Sequence, residues 1–194
     1  MEKVGLFFGS FNPIHVGHLV LANHFAENSD LEEIWLVVTP QNPFKVKQSM
    51  LPNNHRLEMV YRATEPYPKL KPSAIEFELP TPNYTSITLA HLNEKYPKKE
   101  FSLLLGEDNL SSFHKWKNYT YILENHSLYV YPREMKKDIP KEFQNHPKIK
   151  QINAPKIELS SSYIRKAIKE GKNVRPLMPP ESWQYLDEMN FYKG

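Results

Sequence analysis

The chain has 194 residues, of which 40% are hydrophobic and 24% charged, with a formal net charge of +3 and no cysteine. This length and apolar content suit one core, so we expect a single domain over residues 1–194 whose last part, from about residue 160, is helical. The small net charge excludes a dedicated nucleic-acid binder, and the absence of any apolar run of roughly 18 residues excludes a membrane span.

The lack of cysteine also excludes disulfides and thiolate metal sites. The first residues lead directly into strand-like sequence with no cleavable signal pattern, so we expect a cytoplasmic protein. A mildly positive chain leaves small anionic molecules as suitable partners. The sequence does not decide the oligomeric state, and a homo-oligomer stays open.

Hydrophobic patterning predicts strands that alternate with helices along most of the chain. The predicted strands are residues 4–8, 34–38, 75–79, 101–106, 128–131 and 149–152. The predicted helices among them are residues 15–28, about 54–63, and one that begins at Thr85. Strands that are apolar along their whole length are typical of a parallel sheet covered on both faces. The alternation therefore predicts a Rossmann-like, doubly wound α/β fold with a mainly parallel sheet.

The last part of the chain is predicted to be helical. The segment SSSYIRKAIKEG opens with serines suited to capping a helix and ends with Gly171 at a C-cap position. A final helix is predicted after Pro179 and Pro180, with Trp183 and Leu186 as its apolar anchors.

Ligands of doubly wound sheets bind beyond the carboxyl ends of the strands, and the segment after the first strand is GSFNPIHVGH. Gly9 and Ser10 leave room for a ligand to approach the backbone, and the unpaired amides of the following helix start suit an anion. His15 and His18 occupy neighbouring positions on the first turn. The positive end of the helix should lower their pKa values in the empty site, and a bound polyphosphate should raise them.

Two other interpretations of these histidines are open. A zinc pair would need a third ligand, and the sequence offers no HExxH frame, no cysteine and no evident candidate. Ordinary packed or surface histidines are the default for an isolated histidine. Here both imidazoles occur with glycine and proline directly after the first strand, where nucleotide phosphates bind, and this placement favours a phosphate site.

A second candidate site is the helix start SSSYIR. The hydroxyls and amides of Ser160, Ser161 and Ser162 offer donors to phosphate oxygens. Arg165 lies in the first turn, where a cation opposes the helix dipole at a cost of about 0.3–1 kcal/mol, so a nearby anion would stabilise it. Simple capping beside a solvated arginine explains the same residues.

Basic residues follow the second and fifth predicted strands. Lys45 and Lys47 lie in the loop TPQNPFKVK, where Lys45 is the better candidate for a phosphate ligand and Lys47 is expected to be solvated. Arg133 follows the fifth strand and offers a further phosphate clamp.

Two segments carry candidates for binding a sugar, a heterocycle or a small carboxylate. In GEDNLSSFHKWKNY, Glu107 and Asp108 can cap the next helix or accept ribose hydroxyls, and Trp116 can stack on a heterocycle. Ordinary packing under a short helix is the alternative for the tryptophan. Thr85 begins a helix whose free amides would suit a small carboxylate.

Together, GSFNPIHVGH and SSSYIR resemble the (H/T)xGH and SSTxxR signatures of the nucleotidyltransferase superfamily, which includes adenylyltransferases and cytidylyltransferases. NYTSITLAHL and LLGEDNLSSFHKWKNYTYIL further resemble the bacterial nicotinate mononucleotide adenylyltransferase family, and the resemblance covers essentially the whole chain. The chain departs from the family pattern at Asn12 (commonly aspartate), Ser162 (threonine) and Glu107 (a small residue). The first two keep hydrogen-bonding capacity, and the third leaves the role of Asp108 open.

The resemblance implies a set of site residues. Those implied to bind ATP are Gly9, Ser10, Phe11, His18, Gly106, Asp108, Arg133, Ser161, Ser162 and Arg165. Those implied to act in catalysis are His15, His18, Lys45 and Arg165. The implied pyridine pocket consists of Thr85, Trp116 and Lys117, with backbone amides for the carboxylate.

The resemblance also implies a reaction: transfer of AMP from ATP to nicotinate mononucleotide, giving deamido-NAD and pyrophosphate in NAD biosynthesis. It implies Mg²⁺ as cofactor, held mainly by ATP phosphates and water rather than by protein ligands. Pantetheine-phosphate adenylyltransferases and glycerol-phosphate cytidylyltransferases share the scaffold, but the Trp116 segment and the chain length fit them less well. A nucleotide-binding regulatory module is the alternative from another class, since fold alone never establishes activity. The two histidines with Lys45 and Arg165 favour an enzyme.

Overall fold

Strands and helices alternate along most of the chain in the computed structural model, which describes residues 1–40, 50–133 and 138–193. The strands are β1 (Glu2–Gly9), β2 (Glu33–Val38), β3 (Leu70–Ser73), β4 (Lys99–Gly106), β5 (Leu128–Tyr131) and β6 (Ile149–Gln151). The helices are α1 (Val16–Asn28), α2 (Asn53–Thr64), α3 (Thr85–Lys95), α4 (Glu107–Leu110), α5 (Tyr119–Asn125), α6 (Ser161–Lys169) and α7 (Pro180–Glu188).

Within the described residues, six strands form one sheet in the order β3-β2-β1-β4-β5-β6, and every neighbouring pair is parallel. The chain builds outward from β1 to β3, then crosses to the other side of β1 and builds outward from β4 to β6. The direction of building reverses between β1 and β4, and in such sheets a ligand crevice opens at this reversal, beyond the carboxyl ends of the strands. The predicted Rossmann-like α/β fold is confirmed.

The sheet is buried on both faces, which explains its continuously apolar strands. In β1, Val4 and Leu6 point to one face and Phe7 points to the other. The first face is covered by apolar residues of α3 and α5. The second is covered by α1, α2, α6 and α7. The C-terminal helices therefore share a core with the sheet, and β1 lies at its centre.

The helical C-terminal part begins and ends as the sequence indicates. Ser160 caps α6, because its hydroxyl accepts the Tyr163 N–H at 3.2 Å. Gly171, just after the helix, has φ +70°, a conformation that favours glycine. Leu186 of α7 is fully buried, and Trp183 packs against the same core. In the described part of the chain, no helix is long and apolar enough to cross a membrane.

The predicted third strand, residues 75–79, is wrong. Residues Ile75–Glu78 form a 3-10 turn, and the strand lies earlier, as β3. Apolar and acidic residues alternate in IEFEL as they do in a half-buried strand, but Glu76 is buried instead of facing solvent. Pro72 made β3 hard to recognise in the sequence, because proline has no backbone N–H to donate to a neighbouring strand. It is tolerated here because β3 lies at the edge of the sheet.

Candidate active site

A cleft of about 780 Å³ opens at the carboxyl ends of β1 and β4, where the strand order reverses. The sequence-predicted residues that line it are Gly9, Ser10, Phe11, His15, His18, Thr85, Asp108, Trp116, Lys117, Arg133, Ser161, Ser162 and Arg165. Gly106 is not among the lining residues and ends β4 beside Asp108 and Arg133, where a Cβ would collide with the Asp108 carboxylate. Lys45 and Lys47 lie outside the described residues.

The turn from β1 into α1 is shaped by the packing of Phe11. Phe11 is buried with φ +44°, in the left-handed region that bulky residues rarely adopt. Its ring lies edge-on to the His18 ring, with centroids 5.0 Å apart. A Cβ at Gly9 would come within 2.8 Å of the Phe11 ring, so only glycine fits there. The turn thus exposes backbone toward the cleft while its aromatic side chain supports His18.

The two histidines of α1 form a defined pair. The His15 backbone N–H donates to His18 Nδ1 at 3.2 Å, and the two rings stack with centroids 3.7 Å apart. Because Nδ1 of His18 accepts this hydrogen bond, a neutral His18 carries its proton on Nε2. The contact fixes the tautomer of His18 as an Nε2–H donor.

His15 occupies the N-cap position of α1 and is 4% exposed. Burial, with a smaller contribution from the positive charge of Arg133, lowers the pKa of His15 to about 4. This agrees in direction with the pKa predicted for an empty site, although burial rather than the helix end is the largest cause. His15 is therefore neutral at physiological pH, and an anion bound beside it would favour its protonated form.

The starts of α1 and α6 are joined to each other. The Ser161 hydroxyl donates to the Pro13 carbonyl at 2.8 Å, and Arg165 Nη1 donates to the Asn12 carbonyl at 2.7 Å. Arg165 Nη2 also donates to the Ser162 hydroxyl at 3.2 Å. These bonds hold the two helix starts side by side at one cleft. The serine hydroxyls take part in this packing, so the helix-start amides are the donors best suited to a ligand.

Arg133 faces the same cleft from the end of β5. Its Nε lies 3.5 Å from Asp108 Oδ1, and its guanidinium lies over the Tyr131 ring at 5.6 Å from the centroid. The Arg133 backbone N–H donates to Glu107 Oε2 at 3.4 Å. Glu107, a departure from the family pattern, thus supports the segment that carries Arg133. Asp108 is partly exposed beside a cation.

The opposite side of the cleft is formed by the start of α3 and the segment that carries Trp116. Tyr84 precedes α3 and makes no side-chain cap, so the amides of this helix start face the cleft region around Thr85 uncapped. The Trp116 ring packs on buried Phe113 at 5.3 Å between centroids, while the residue also lines the cleft. Lys117 Nζ lies 4.5 Å from the centroid of the Tyr84 ring. Trp116 thus has both a packing contact and an accessible position.

The sequence analysis missed Glu76, which is 2% exposed and borders the cleft. It accepts the Thr88 hydroxyl at 2.7 Å, and burial raises the pKa of its carboxyl. Asn83, which also lines the cleft, donates to the Glu76 carbonyl at 3.1 Å. Glu76 fixes the start of α3. In the sequence, Glu76 belonged only to the predicted strand 75–79, and no motif marked it as part of a site.

Arg56 of α2 was also missed. It is fully buried and donates to the carbonyls of Ser10, Thr39 and Leu51 and to Asn53 Oδ1. Burial lowers the pKa of Arg56 to about 10, so it stays charged at physiological pH. It ties the segments after β1 and β2 together. A single arginine in an amphipathic helix gives no sequence signal for such a role.

Metal binding by protein side chains alone finds no support in the described residues, which contain no group of three His, Cys, Asp or Glu side chains placed to hold an ion. The zinc interpretation of His15 and His18 gains no third ligand there. The chemistry that the cleft offers is hydrogen-bond donation and positive charge from two helix starts, imidazoles and guanidinium groups.

Comparison with known proteins gives a consistent result. The cytidylyltransferase-like family matches residues 6–167. The probable nicotinate-nucleotide adenylyltransferase of Christiangramia forsetii is 65% identical over 192 residues, 99% of each chain. That of Flavobacterium johnsoniae is 60% identical over 191 residues, 98% of this chain and 99% of the relative. The structure of Plasmodium falciparum nicotinic acid mononucleotide adenylyltransferase complexed with NaAD superposes with a TM-score of 0.80, covering 99% of this chain and 98% of that chain at 20% identity, and shows the shared fold.

Proposed function

Because the chain belongs to the cytidylyltransferase-like family and, within it, to the nicotinate-nucleotide adenylyltransferases, we propose that it transfers AMP from ATP to nicotinate mononucleotide. The products are deamido-NAD and pyrophosphate, and the reaction belongs to NAD biosynthesis. The whole chain acts as one domain in this proposal, because α6 supplies part of the cleft opened by β1 and β4. A cytoplasmic location stays a prediction.

The observation that carries the proposal is the convergence of two helix starts on one cleft. The bonds from Ser161 to Pro13 and from Arg165 to Asn12 place the amides of α1 and α6 next to each other. Two positive helix ends side by side repel, and a polyanion between them relieves that repulsion. Arg133 adds charge at the same cleft. A triphosphate matches this arrangement better than a single phosphate.

The chemistry needs no nucleophile from the protein. A phosphate oxygen of nicotinate mononucleotide attacks the α-phosphorus of ATP and forms the new P–O bond, while the bond from that phosphorus to the bridging oxygen breaks and pyrophosphate leaves with the electron pair. Catalysis consists of aligning two anions and stabilising the charge that develops on the phosphoryl oxygens. Nε2–H of His18 is the donor oriented for that charge, since its tautomer is fixed.

The remaining predicted residues receive roles by position. Gly9, Ser10 and Phe11 offer backbone to ATP, and the amides of Ser161 and Ser162 bind its phosphates. Protonation of His15 on binding would add a positive charge, because phosphates raise a lowered pKa. The roles of five further residues are proposed from the sequence motifs or from their positions near the cleft. Lys45 and Arg133 would bind phosphates, and Gly106 and Asp108 would lie at the nucleotide. Arg165 would clamp the phosphates while it also fixes the turn.

Mg²⁺ fits the cleft without a protein cage. The ion takes oxygen ligands and usually keeps several waters. Asp108 is a partly exposed carboxylate lining the cleft, and it can bind a water of the ion's shell while it pairs with Arg133. When bound, the ion neutralises charge on the phosphates of ATP.

The second substrate would occupy the side of the cleft formed by α3 and Trp116. The uncapped amides at Thr85 suit the nicotinate carboxylate, and the Trp116 ring, supported by Phe113, can stack on the pyridine. Lys117 lies at the rim, over the Tyr84 ring, where it can reach an anionic substrate. The two substrates then meet between His18 and the start of α3.

The test is product formation by the purified chain with ATP, Mg²⁺ and a panel of acceptors. We expect release of pyrophosphate and formation of deamido-NAD with nicotinate mononucleotide. Pantetheine phosphate with ATP, and glycerol phosphate with CTP, serve as rival substrate pairs. Faster turnover of either rival pair would reject the assigned acceptor. Binding of ATP without pyrophosphate release from any pair would instead favour a regulatory module.

A further inference from the structure

The side chain of Asn12 connects the turn before α1 to the C-terminal end of the chain. Asn12 is 5% exposed, and its Oδ1 accepts the Leu51 N–H at 3.2 Å and the Tyr192 hydroxyl at 2.6 Å. Its carbonyl accepts Arg165 Nη1 at 2.7 Å. One residue of the turn is thus held from three separate parts of the fold. The contact from Tyr192 spans 180 positions in sequence.

The C-terminal segment bends sharply to make this contact. Asn190 and Tyr192 have φ angles of +54° and +62°, and the Phe191 ring packs against the His55 ring of α2 at 4.8 Å between centroids. Phe11, which directly precedes the hydrogen-bond acceptor Asn12, also has a positive φ. Bulky residues adopt this conformation only where surrounding structure imposes it, and such residues cluster at functional sites.

The Tyr192 hydroxyl keeps its proton to donate. Burial raises the pKa of Tyr192, and the nearby positive charges of Arg165 and Arg56 oppose this shift without reversing it. The hydroxyl is therefore protonated at neutral pH and donates to Asn12 Oδ1. Tyr192 does not line the cleft among the described residues, so it can act on a ligand only through the turn.

We propose that Tyr192 is a positioning residue for the ATP side of the active site. Its hydroxyl holds Asn12, so that the backbone of residues 9–11 and the start of α1 face the phosphates. The proposal rests on the proposed function for the identity of the ligand. The pyridine side is built by α3 and the Trp116 segment, whereas the Tyr192 hydroxyl donates to Asn12 on the ATP side. Loss of the hydroxyl should therefore weaken ATP binding and leave nicotinate mononucleotide binding unchanged.

The test is Tyr192→Phe, with Tyr185→Phe as its matched control. Tyr185 lies in the same C-terminal part and outside the cleft lining, and its hydroxyl also makes a side-chain bond, but to His55 Nδ1 of α2 at 2.8 Å and not to the turn before α1. ATP affinity is measured by calorimetry without the second substrate, and KM for each substrate by pyrophosphate release. Loss of one neutral hydrogen bond predicts a weakening of ATP binding by about two- to tenfold for Tyr192→Phe. Tyr185→Phe should bind ATP like the parent.

Four outcomes are informative. A selective loss of ATP affinity, with KM for nicotinate mononucleotide and the Tm close to those of the control, supports the positioning role. Equal ATP affinity in Tyr192→Phe and the parent overturns it, as does an equal change for both substrates that follows a lowered Tm. If the parent binds ATP but releases no pyrophosphate, the proposed function fails, and the comparison of ATP affinities still decides the role of Tyr192.

A double variant tests whether the Tyr192 hydroxyl acts through Asn12. If Tyr192 acts through Asn12, then Tyr192→Phe should cause no further loss of ATP affinity in an Asn12→Ala background, because the acceptor is already gone. Additive losses would show that the hydroxyl acts through another partner and would overturn the proposed route.

Discussion

At the scale of single residues, the site depends on groups whose protonation and direction are fixed by neighbours. The His15 N–H sets the tautomer of His18, and the buried ring of Phe11 supports that imidazole from the side. Burial keeps His15 neutral in the empty site. The imidazoles are therefore oriented before a ligand arrives, and preorganised donors are the kind that stabilise developing charge.

Replacing His18 by alanine should lower turnover much more than substrate affinity, because its Nε2–H is assigned to charge that appears only in the transition state. Loss of one such donor predicts a decrease of about 10²–10³-fold in kcat. His24→Ala is the control, since His24 lies on the same helix and bonds to Asn28 away from the cleft. Steady-state kinetics of pyrophosphate release would measure both variants. An unchanged kcat in His18→Ala would contradict the assignment.

Sequence patterns located residues that line the cleft but not those that support them. His15, His18 and Arg165 belong to short motifs directly after a strand or at a helix start, so their environment could be inferred. Arg56 and Tyr192 act through contacts over long distances in sequence, to Ser10 and Asn12. Such contacts depend on how the helices pack, and no local pattern encodes them.

At the scale of elements, the strand order makes the site. Strands β1 and β4 are adjacent, so the segments that follow them open toward the same cleft. The apolar strands were predictable because burial on both faces leaves a continuous hydrophobic run. The edge strand β3 was not predictable, because its sequence LKPS lacks a hydrophobic run and contains a proline. Proline is tolerated in this strand because only one of its edges pairs with a neighbouring strand. Short helices such as α4, four residues long, also lack a readable period.

The start of α3 should discriminate between the acid and the amide forms of the second substrate. Its uncapped amides stabilise a carboxylate and leave a neutral carboxamide less well paired. A hydrogen bond to a charged group contributes about 1.5–3 kcal/mol, which predicts a preference of about 10- to 100-fold in kcat/KM. Nicotinate and nicotinamide mononucleotides compared with the same enzyme preparation would measure it. Equal efficiency would count against a carboxylate site at α3.

At the scale of the whole molecule, buried histidines couple stability to pH. His126 is 4% exposed, its Nδ1 donates to the Phe101 carbonyl at 2.8 Å, and burial lowers its pKa, as it does for His15. Burial favours the neutral form of both in the folded chain, whereas an unfolded histidine takes a proton near pH 6.5. Their contribution to stability is present above that pH and is lost as pH falls below it.

Stability should therefore decrease between pH 7.5 and pH 5.5, with about 1 kcal/mol of the decrease from His15 and an additional contribution in the same direction from His126. The raised pKa of Glu76 acts in the opposite direction, since protonation relieves a buried charge. His126→Gln, which removes one titrating group, should show a smaller decrease, and exposed His114→Gln should behave like the parent. Denaturant unfolding at both pH values measures this. An identical decrease in all three proteins would refute the role of His126.

At the scale of the whole molecule, the proposed function also requires one triphosphate bound between the starts of α1 and α6. A crystal structure of the chain with a non-hydrolysable ATP analogue and Mg²⁺ tests this most directly. We predict phosphate oxygens within hydrogen-bonding distance of His18 Nε2 on one side and of the α6 amides with Arg165 on the other. A triphosphate that contacts only one helix start, or that lies outside the cleft, would contradict the account.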